Sequence, residues 1–252
     1  MVVIDFHSHF GKSSKLINFQ NKSGITIDDV VREQERIGIN FSTAIPLPSS
    51  YPEDLQRSND EVTSIQDKRL LPFVWLNPYF LRTHDKRGQD EAELVRIIKE
   101  KRVYGLKVHP VMDGYYPDPK LMGPVLEIAR ETRLPILWHT GWGALGDPEY
   151  VEDCAEIFPD VTLVIGHLVD TNSPRIAKRM ENVYLETSYC ASPRRLAGIV
   201  SQIGSERILF GSDLGVNYPR VQIVTVQESQ MPDKDKENIL GLNAARLLNI
   251  KT

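Results

Sequence analysis

The chain has 252 residues, of which 25% are charged and 41% are hydrophobic, and its net charge is −4. A chain of this size can bury a large core without disulfides or a structural metal, and a single α/β barrel typically takes ~250 residues. The acidic balance argues against nucleic-acid binding, which usually needs a basic stripe. No run approaches the ~20 apolar residues of a membrane span. Two cysteines without a CxxC spacing suit a reducing compartment, so we expect a cytoplasmic protein.

Short apolar runs recur along the chain, with gaps between them that are long enough for a helix and its loops. Such runs are typical of parallel strands joined by crossover helices. Eight βα units are the number that closes a barrel, whereas an open doubly wound sheet is the alternative. The sequence therefore predicts an α/β fold, a (β/α)₈ TIM-like barrel, as one domain over residues 1–252. The predicted strands are residues 2–6, 41–46, 70–76, 104–108, 135–138, 162–165, 183–186 and 208–210.

Capping residues mark helix starts in these gaps. Thr26 and Asp29 form a capping-box pattern before a helix over residues 27–38. A charged amphipathic stretch predicts a helix over residues 90–101, and the tail predicts a final helix over residues 233–249. Proline suits the first position of a helix, where its missing N–H is not needed. Four further helices are predicted to start at Asp118-Pro119, Asp147-Pro148, Ser173-Pro174 and Ser192-Pro193.

Five of the six histidines fall at the C-terminal ends of predicted strands. In a parallel barrel these ends open on one face, which holds the active site, so the side chains should converge. The set is His7 and His9 after the first strand, His109 after the fourth, His139 after the fifth, His167 after the sixth, and Asp213 after the eighth.

The His7-Ser8-His9 motif is the strongest indication of a metal. Residues i and i+2 of an extended chain point to the same side, so both imidazoles can reach one ion. Asp213 follows the eighth strand, which neighbours the first in a closed barrel, and His139 approaches across the mouth. Three histidines and a carboxylate suit Zn²⁺ with an open position for water. We therefore predict one divalent ion per chain, most favourably zinc.

Four motifs of this chain resemble the successive motifs of the amidohydrolase superfamily. They are His7-Ser8-His9, Trp138-His139-Thr140, Ile165-Gly166-His167 and Gly211-Ser212-Asp213. The resemblance is closest to the amidohydrolase-related branch, which contains small-molecule hydrolases and aromatic-acid decarboxylases, and residues 239–248 resemble its closing helix. The resemblance implies that His167 binds a second metal or acts as a catalytic group near the first metal. It also implies the metal ligands His7, His9, His139 and Asp213.

Lys107 ends the fourth strand, where binuclear members of this superfamily carry a carbamylated lysine that bridges two metals. A carbamylated Lys107 would imply two ions per chain. An ammonium at Lys107 would instead bind a substrate carboxylate or pair with a charge in the mouth, because burying it alone is costly. We expect His109, Trp142 and Tyr189 to line the substrate site and Glu186 to be structural.

The sequence favours a metal-dependent hydrolase that cleaves an amide, ester or lactone of a small molecule with a metal-activated water. Asp213 would carry the proton, and His167 and Lys107 complete the predicted catalytic set. The alternative is a decarboxylase of a small aromatic or unsaturated carboxylic acid, in which Asp213 or His167 protonates the carbon.

Two further readings fit less well. TatD-like nucleases carry a glutamate at the position of Lys107, and a non-catalytic barrel conflicts with the intact ligand set. The expected partner is a small-molecule substrate, with neither nucleic acid nor membrane, and a homodimer is one expectation because barrels often pair through their outer helices.

Overall fold

The structure, a computed structural model, describes residues 1–11, 26–47, 52–86 and 88–251. Its frame is a set of parallel strands, each of which, apart from the first, lies within one residue of a predicted run. The first strand extends to Phe10, beyond its predicted end at residue 6. The first strand, β1, consists of two pieces, Ile4–Asp5 and His9–Phe10. The others are β2 (Phe41–Pro46), β3 (Leu70–Trp75), β4 (Gly105–Val108), β5 (Ile136–His139), β6 (Leu163–Gly166), β7 (Val183–Glu186) and β8 (Ile208–Leu209).

The strands form one sheet in which each pairs with the next along the chain, in the order β1 to β8. The sheet closes between its last and first strands. The Phe6 N–H donates to the Phe210 carbonyl at 2.8 Å, and Ser8 forms a parallel bridge with Leu214. The predicted (β/α)₈ barrel is confirmed, and all strand C-termini open on one face.

Helices follow the strands and cover the outside of the sheet. Among the described residues, no helix is both long and apolar enough to cross a membrane. In chain order, the helices are α1 (Ile27–Ile37), α2 (Pro52–Thr63), α3 (Glu91–Glu100), α4 (Pro110–Asp113), α5 (Pro119–Thr132), α6 (Glu149–Ile157), α7 (Asn172–Arg179), α8 (Pro193–Ile203), α9 (Pro219–Gln227), α10 (Asp233–Glu237) and α11 (Asn243–Leu247), with a π-helical segment over Asn238–Leu242.

Helix α7 begins earlier than the proline rule predicts. The Asp170 Oδ1 atom accepts hydrogen bonds from the backbone N–H groups of Asn172 and Ser173, both at 2.7 Å. This capping moves the start to Asn172, so Ser173-Pro174 falls inside the first turn. The other capping residues act as predicted where their side chains reach the first turn, as Asp118 does for α5 and Ser192 for α8.

Packed side chains fill the barrel interior beneath the mouth, which is the open face at the strand C-termini. The Phe6 and Phe73 rings meet edge to face with centroids 5.4 Å apart. Gly105 makes room for them, because a Cβ there would lie 2.4 Å from the Phe73 ring. Lys107 is two residues further along β4 and shares the inward face with Gly105. Its side chain therefore rises from this packed layer into the mouth, next to Trp75.

Candidate metal centre

Three donor atoms converge at the junction of β1 and β8. The Asp213 Oδ1 atom lies 3.4 Å from His7 Nε2 and 3.2 Å from His9 Nε2. With metal–ligand bonds of ~2.0–2.2 Å, neighbouring ligand atoms of a tetrahedral site lie ~3.3–3.5 Å apart. The three atoms are therefore spaced as ligands of one divalent ion, and all three residues are buried.

A break in β1 lets both imidazoles reach this point. Between the two pieces of the strand, the His7 N–H donates to Asp5 Oδ1 at 3.1 Å and the Ser8 N–H donates to Thr43 Oγ1 at 3.0 Å. These side chains satisfy donors that a continuous ladder would have used. The strand resumes at His9, which pairs with β2.

The far nitrogen of each ring is held by a fixed acceptor. His7 Nδ1 lies 2.8 Å from Glu186 Oε2, and His9 Nδ1 lies 3.1 Å from the Pro46 carbonyl oxygen. A carbonyl or carboxylate at Nδ1 places the proton there and leaves the Nε2 lone pair for a metal. The donor set therefore fits a divalent cation in tautomer as well as in spacing.

His139 and His167 lie next to this group but face one another. His139 Nδ1 is 2.9 Å from His167 Nε2, and His167 Nδ1 is 2.7 Å from Ser188 Oγ. The structure therefore gathers His7, His9 and Asp213 into one set of converging donor atoms and holds His139 at its edge through His167.

Lys107 is fully buried, and its Nζ lies 3.3 Å from His7 Nε2. Burial lowers the pKa of this ammonium to about 8, against the attraction of Asp213 and Glu186. In the described part of the chain, Lys107 forms hydrogen-bonding contact with His7 but no ion pair with a carboxylate. A cationic side chain thus lies beside the donor atoms, and none of the described carboxylates forms an ion pair with it.

The three predicted substrate-site residues lie around the mouth in different ways. The Trp142 ring stacks on His139 at 5.4 Å and meets the Tyr189 ring edge to face at 5.0 Å. Trp142 is 55% exposed, so one of its faces covers the imidazoles and the other meets solvent. His109 is buried between Trp75 and His139, and its Nδ1 accepts the Met112 N–H at 3.1 Å. The contacts of His109 are therefore with neighbouring side chains and with the start of α4.

Burial favours the neutral form of three imidazoles in the mouth. Burial, reinforced by Lys107, lowers the pKa of His7, and burial holds the pKa values of His139 and His167 well below the ordinary range. Burial alone would raise the pKa of Asp213, but the His7 and His9 rings hold it well below its usual value. Neutral imidazoles beside an ionised carboxylate are the protonation states that metal ligation requires.

Backbone strain is concentrated at the same place. Among the described residues, six non-glycine residues have positive φ. Each such residue costs about 1–3 kcal/mol, and strain of this kind gathers at functional sites. Four of the six follow barrel strands in the mouth: Trp142 (57°), His167 (74°), Tyr189 (62°) and Asp213 (58°).

Glu186, expected from the sequence to be structural, contacts two histidines of this site. It ends β7 with no exposed surface, and its carboxylate accepts hydrogen bonds from His7 Nδ1, the His167 N–H and Ser188. Gly211 makes room for it, because a Cβ there would lie 2.1 Å from Glu186 Oε1. The position of Glu186 at the C-terminal end of the predicted strand 183–186 is the sequence signal that could have placed it at the site.

The motifs and the geometry agree with a comparison of the chain against protein families. A family model described as amidohydrolase matches residues 56–250, well over half of the chain. The chain belongs to the amidohydrolase family. No curated protein sequence matches this chain significantly.

Several solved structures share the fold of this amidohydrolase family member. Dihydroxybenzoic acid decarboxylase from Polaromonas sp. JS666, with bound manganese and the inhibitor 2-nitroresorcinol, has a TM-score of 0.77 at 17% identity, over 99% of this chain and 97% of that chain. 5-Carboxyvanillate decarboxylase from Sphingomonas paucimobilis has a TM-score of 0.74 at 14% identity, over 99% of both chains. 2,6-Dihydroxybenzoate decarboxylase from Rhizobium has a TM-score of 0.73 at 15% identity, over 99% of this chain and 98% of that chain.

The predicted enzyme class needs correction at this point. The sequence favoured a hydrolase, but these three similar structures are named as decarboxylases, which are lyases. The hydrolase prediction is therefore wrong. The prediction failed because the same histidine and aspartate ligands can hold a metal that activates water or a metal that binds a substrate carboxylate. The ligand motifs therefore do not distinguish hydrolysis from decarboxylation. Identities of this size establish a shared fold and leave the substrate to the chemistry of the site.

Proposed function

We propose that this protein is a metal-dependent decarboxylase of a small aromatic or unsaturated carboxylic acid. The observation that carries the proposal is Lys107, a buried cation 3.3 Å from His7 Nε2 with no carboxylate paired to it among the described residues. A buried ammonium needs a counter-charge. The carboxylate of a substrate bound beside the metal ligands would supply it.

We further propose one divalent ion per chain, held by His7, His9 and Asp213 with His139 as the fourth residue. The ion would supply electrostatic stabilisation and would orient the oxygen atoms of the substrate. The nitrogen-rich donor set favours zinc, whereas one decarboxylase of similar fold holds manganese. Elemental analysis of the purified protein decides between the two ions.

The side chains of the mouth would have different roles in the reaction. Lys107 would hold the substrate carboxylate, while the Trp142 and Tyr189 rings would cover a flat substrate and keep water from the reacting carbon. Asp213 Oδ1 faces the two histidines, so Oδ2 is the oxygen that would take up a proton from solvent before the bond breaks. As the bond to the carboxyl carbon breaks, its electron pair takes that proton, and CO₂ leaves. Each turnover consumes one proton from solvent and releases one CO₂.

The test is a panel of hydroxybenzoic and unsaturated carboxylic acids labelled at the carboxyl carbon, incubated with metal-loaded protein in deuterated water. We expect labelled CO₂ and one deuterium on the carbon that lost it. Metal-free protein and Asp213→Asn serve as controls and should release no CO₂ above background. If no acid of the panel loses its carboxyl group to fully loaded protein, the proposal is contradicted.

A further inference from the structure

The Tyr189 side chain is carried on a tight turn that follows β7. The Cys190 N–H donates to the Thr187 carbonyl at 3.0 Å, which is the hydrogen bond that closes a β-turn. Tyr189 is the third residue of this turn and has a φ of 62°. Glycine is normally preferred at a turn position of this conformation, so a tyrosine is kept there only when surrounding groups hold the backbone in place.

The amide of Gln222 makes three hydrogen bonds to the backbone of this turn. Gln222 lies on α9, which packs beside α8, and only 1% of the residue is exposed. Its Oε1 accepts from the Tyr189 N–H at 3.2 Å, and its Nε2 donates to the carbonyls of Thr187 at 3.1 Å and Cys190 at 3.2 Å. The opposite orientation would place an NH₂ group against an N–H and an oxygen against two carbonyls, so the turn fixes the orientation of the amide.

Two backbone groups of the turn depend on Gln222. The Cys190 N–H is used inside the turn, whereas the Tyr189 N–H and the Cys190 carbonyl receive no other hydrogen bond from the described residues. Cys190 is buried. A buried backbone donor or acceptor without a partner is costly, so the turn should change its conformation if the amide is removed.

We infer that Gln222 is a positioning residue that holds the ring of Tyr189 in the mouth. In the conformation that the amide stabilises, the Tyr189 ring meets the rings of Trp142 and His167 edge to face, with centroids 5.0 and 5.1 Å away. A helix on the outside of the barrel thus sets the position of an aromatic group in the mouth. The role of this ring in covering a substrate rests on the proposed function, whereas its positioning by Gln222 does not.

Fluorine NMR of protein labelled with fluorotyrosine tests the position of Tyr189 with no substrate present. The chain has nine tyrosines, and the signal of Tyr189 is the one that Tyr189→Phe removes. Gln222→Met keeps the length of the side chain and removes all three hydrogen bonds. We expect the Tyr189 signal to move in this variant while the signals of the other tyrosines stay in place.

Gln222→Glu is the second variant, in case Gln222→Met does not fold. It keeps an acceptor for the Tyr189 N–H but lacks the NH₂ group that donates to the two carbonyls, so the Tyr189 signal should move here too. The matched control is Gln34→Met. Gln34 is also 1% exposed and lies on α1, and its amide has no hydrogen-bond partner among the described residues. This control should leave the Tyr189 signal unchanged.

Kinetics on any acid of the panel that loses its carboxyl group test the consequence for the substrate. We expect Gln222→Met to raise KM ~10-fold, about the contribution of one aromatic contact, and to change kcat less than KM. Unchanged KM would contradict the role of the ring in substrate binding. An unmoved Tyr189 signal in both Gln222 variants would overturn the inference even if the protein releases CO₂, whereas a moved signal would support it even if no acid reacts.

Discussion

The Nδ1 atom of His7 lies 2.8 Å from Oε2 of Glu186, and its Nε2 atom lies 3.4 Å from Oδ1 of Asp213. One imidazole thus connects a carboxylate on β7 with a carboxylate after β8. A carboxylate behind a ligating imidazole fixes the tautomer and raises the basicity of the ligand. Glu186 would therefore support the proposed metal site through His7.

Glu186→Gln should weaken metal binding by ~10–100-fold, because an amide is a poorer acceptor for His7 Nδ1–H than a carboxylate. The change keeps the size of the side chain, so the protein should remain folded. Glu206→Gln, at an exposed position, is the control and should bind metal normally. Chelator competition measures both affinities, and equal values for the two variants would show that Glu186 does not support His7.

Gly211→Ala should disturb the same carboxylate by a different route. The new Cβ would lie 2.1 Å from Glu186 Oε1, so either the side chain or the strand must move. We expect loss of about 1–3 kcal/mol in the free energy of unfolding, as for other overpacked positions, and weaker metal binding. Gly198→Ala in α8 meets nothing within 4 Å and should stabilise the helix by about 0.5–1 kcal/mol. Denaturant unfolding compares the two, and equal stabilities would contradict the packing argument.

Lys107→Met should separate metal binding from substrate binding. Methionine fills a similar volume without charge, so we expect metal content per chain to stay unchanged and CO₂ release to fall at least ~100-fold, as when other charge-stabilising groups are removed. Lys99→Met, at a half-exposed ion pair on α3, should change neither. Loss of metal from Lys107→Met would instead favour a carbamylated lysine that bridges two ions.

Asp113 should make stability depend on pH. Burial raises the pKa of this carboxyl from its usual 3.8 to about 7, although Trp75 donates to it from Nε1. Because this pKa is higher in the folded state than in the unfolded state, the contribution of Asp113 to the free energy of unfolding is fully present below about pH 4. It is lost as the pH rises through about 7. Asp113→Asn keeps an acceptor for Trp75 and should lose this dependence, which is worth a few kcal/mol. Urea unfolding at pH 5 and pH 8 measures it, and the same pH dependence in both proteins would refute this role.

The barrel could be predicted from the sequence because its local signals agree with its overall architecture. Apolar runs such as Leu70–Trp75 are buried along their whole length, so the pattern marks them without any knowledge of their neighbours. Caps such as Asp118 act within four residues. The helices Pro52–Thr63 and Pro219–Gln227 were missed because the proline that begins each of them follows a tyrosine and not a capping residue.

The convergence of site residues could be predicted only where they lie at a regular spacing on one strand. His7 and His9 stand two apart on one strand, so their convergence follows from strand geometry. The pairing of His139 with His167 depends on the orientation of two rings across neighbouring strands, which spacing does not encode. Glu186 contacts a ring 179 positions away in the sequence, and no local pattern connects the two.

Metal content per chain, measured by elemental analysis after reconstitution and removal of excess ions, tests the metal centre most directly. We predict about one divalent ion per chain for the unchanged protein and almost none for the double variant His9→Ala with Asp213→Ala, which lacks two of the converging ligands. Full occupancy in that variant, or no bound ion in the unchanged protein, would contradict the assignment of His7, His9 and Asp213 as the metal site.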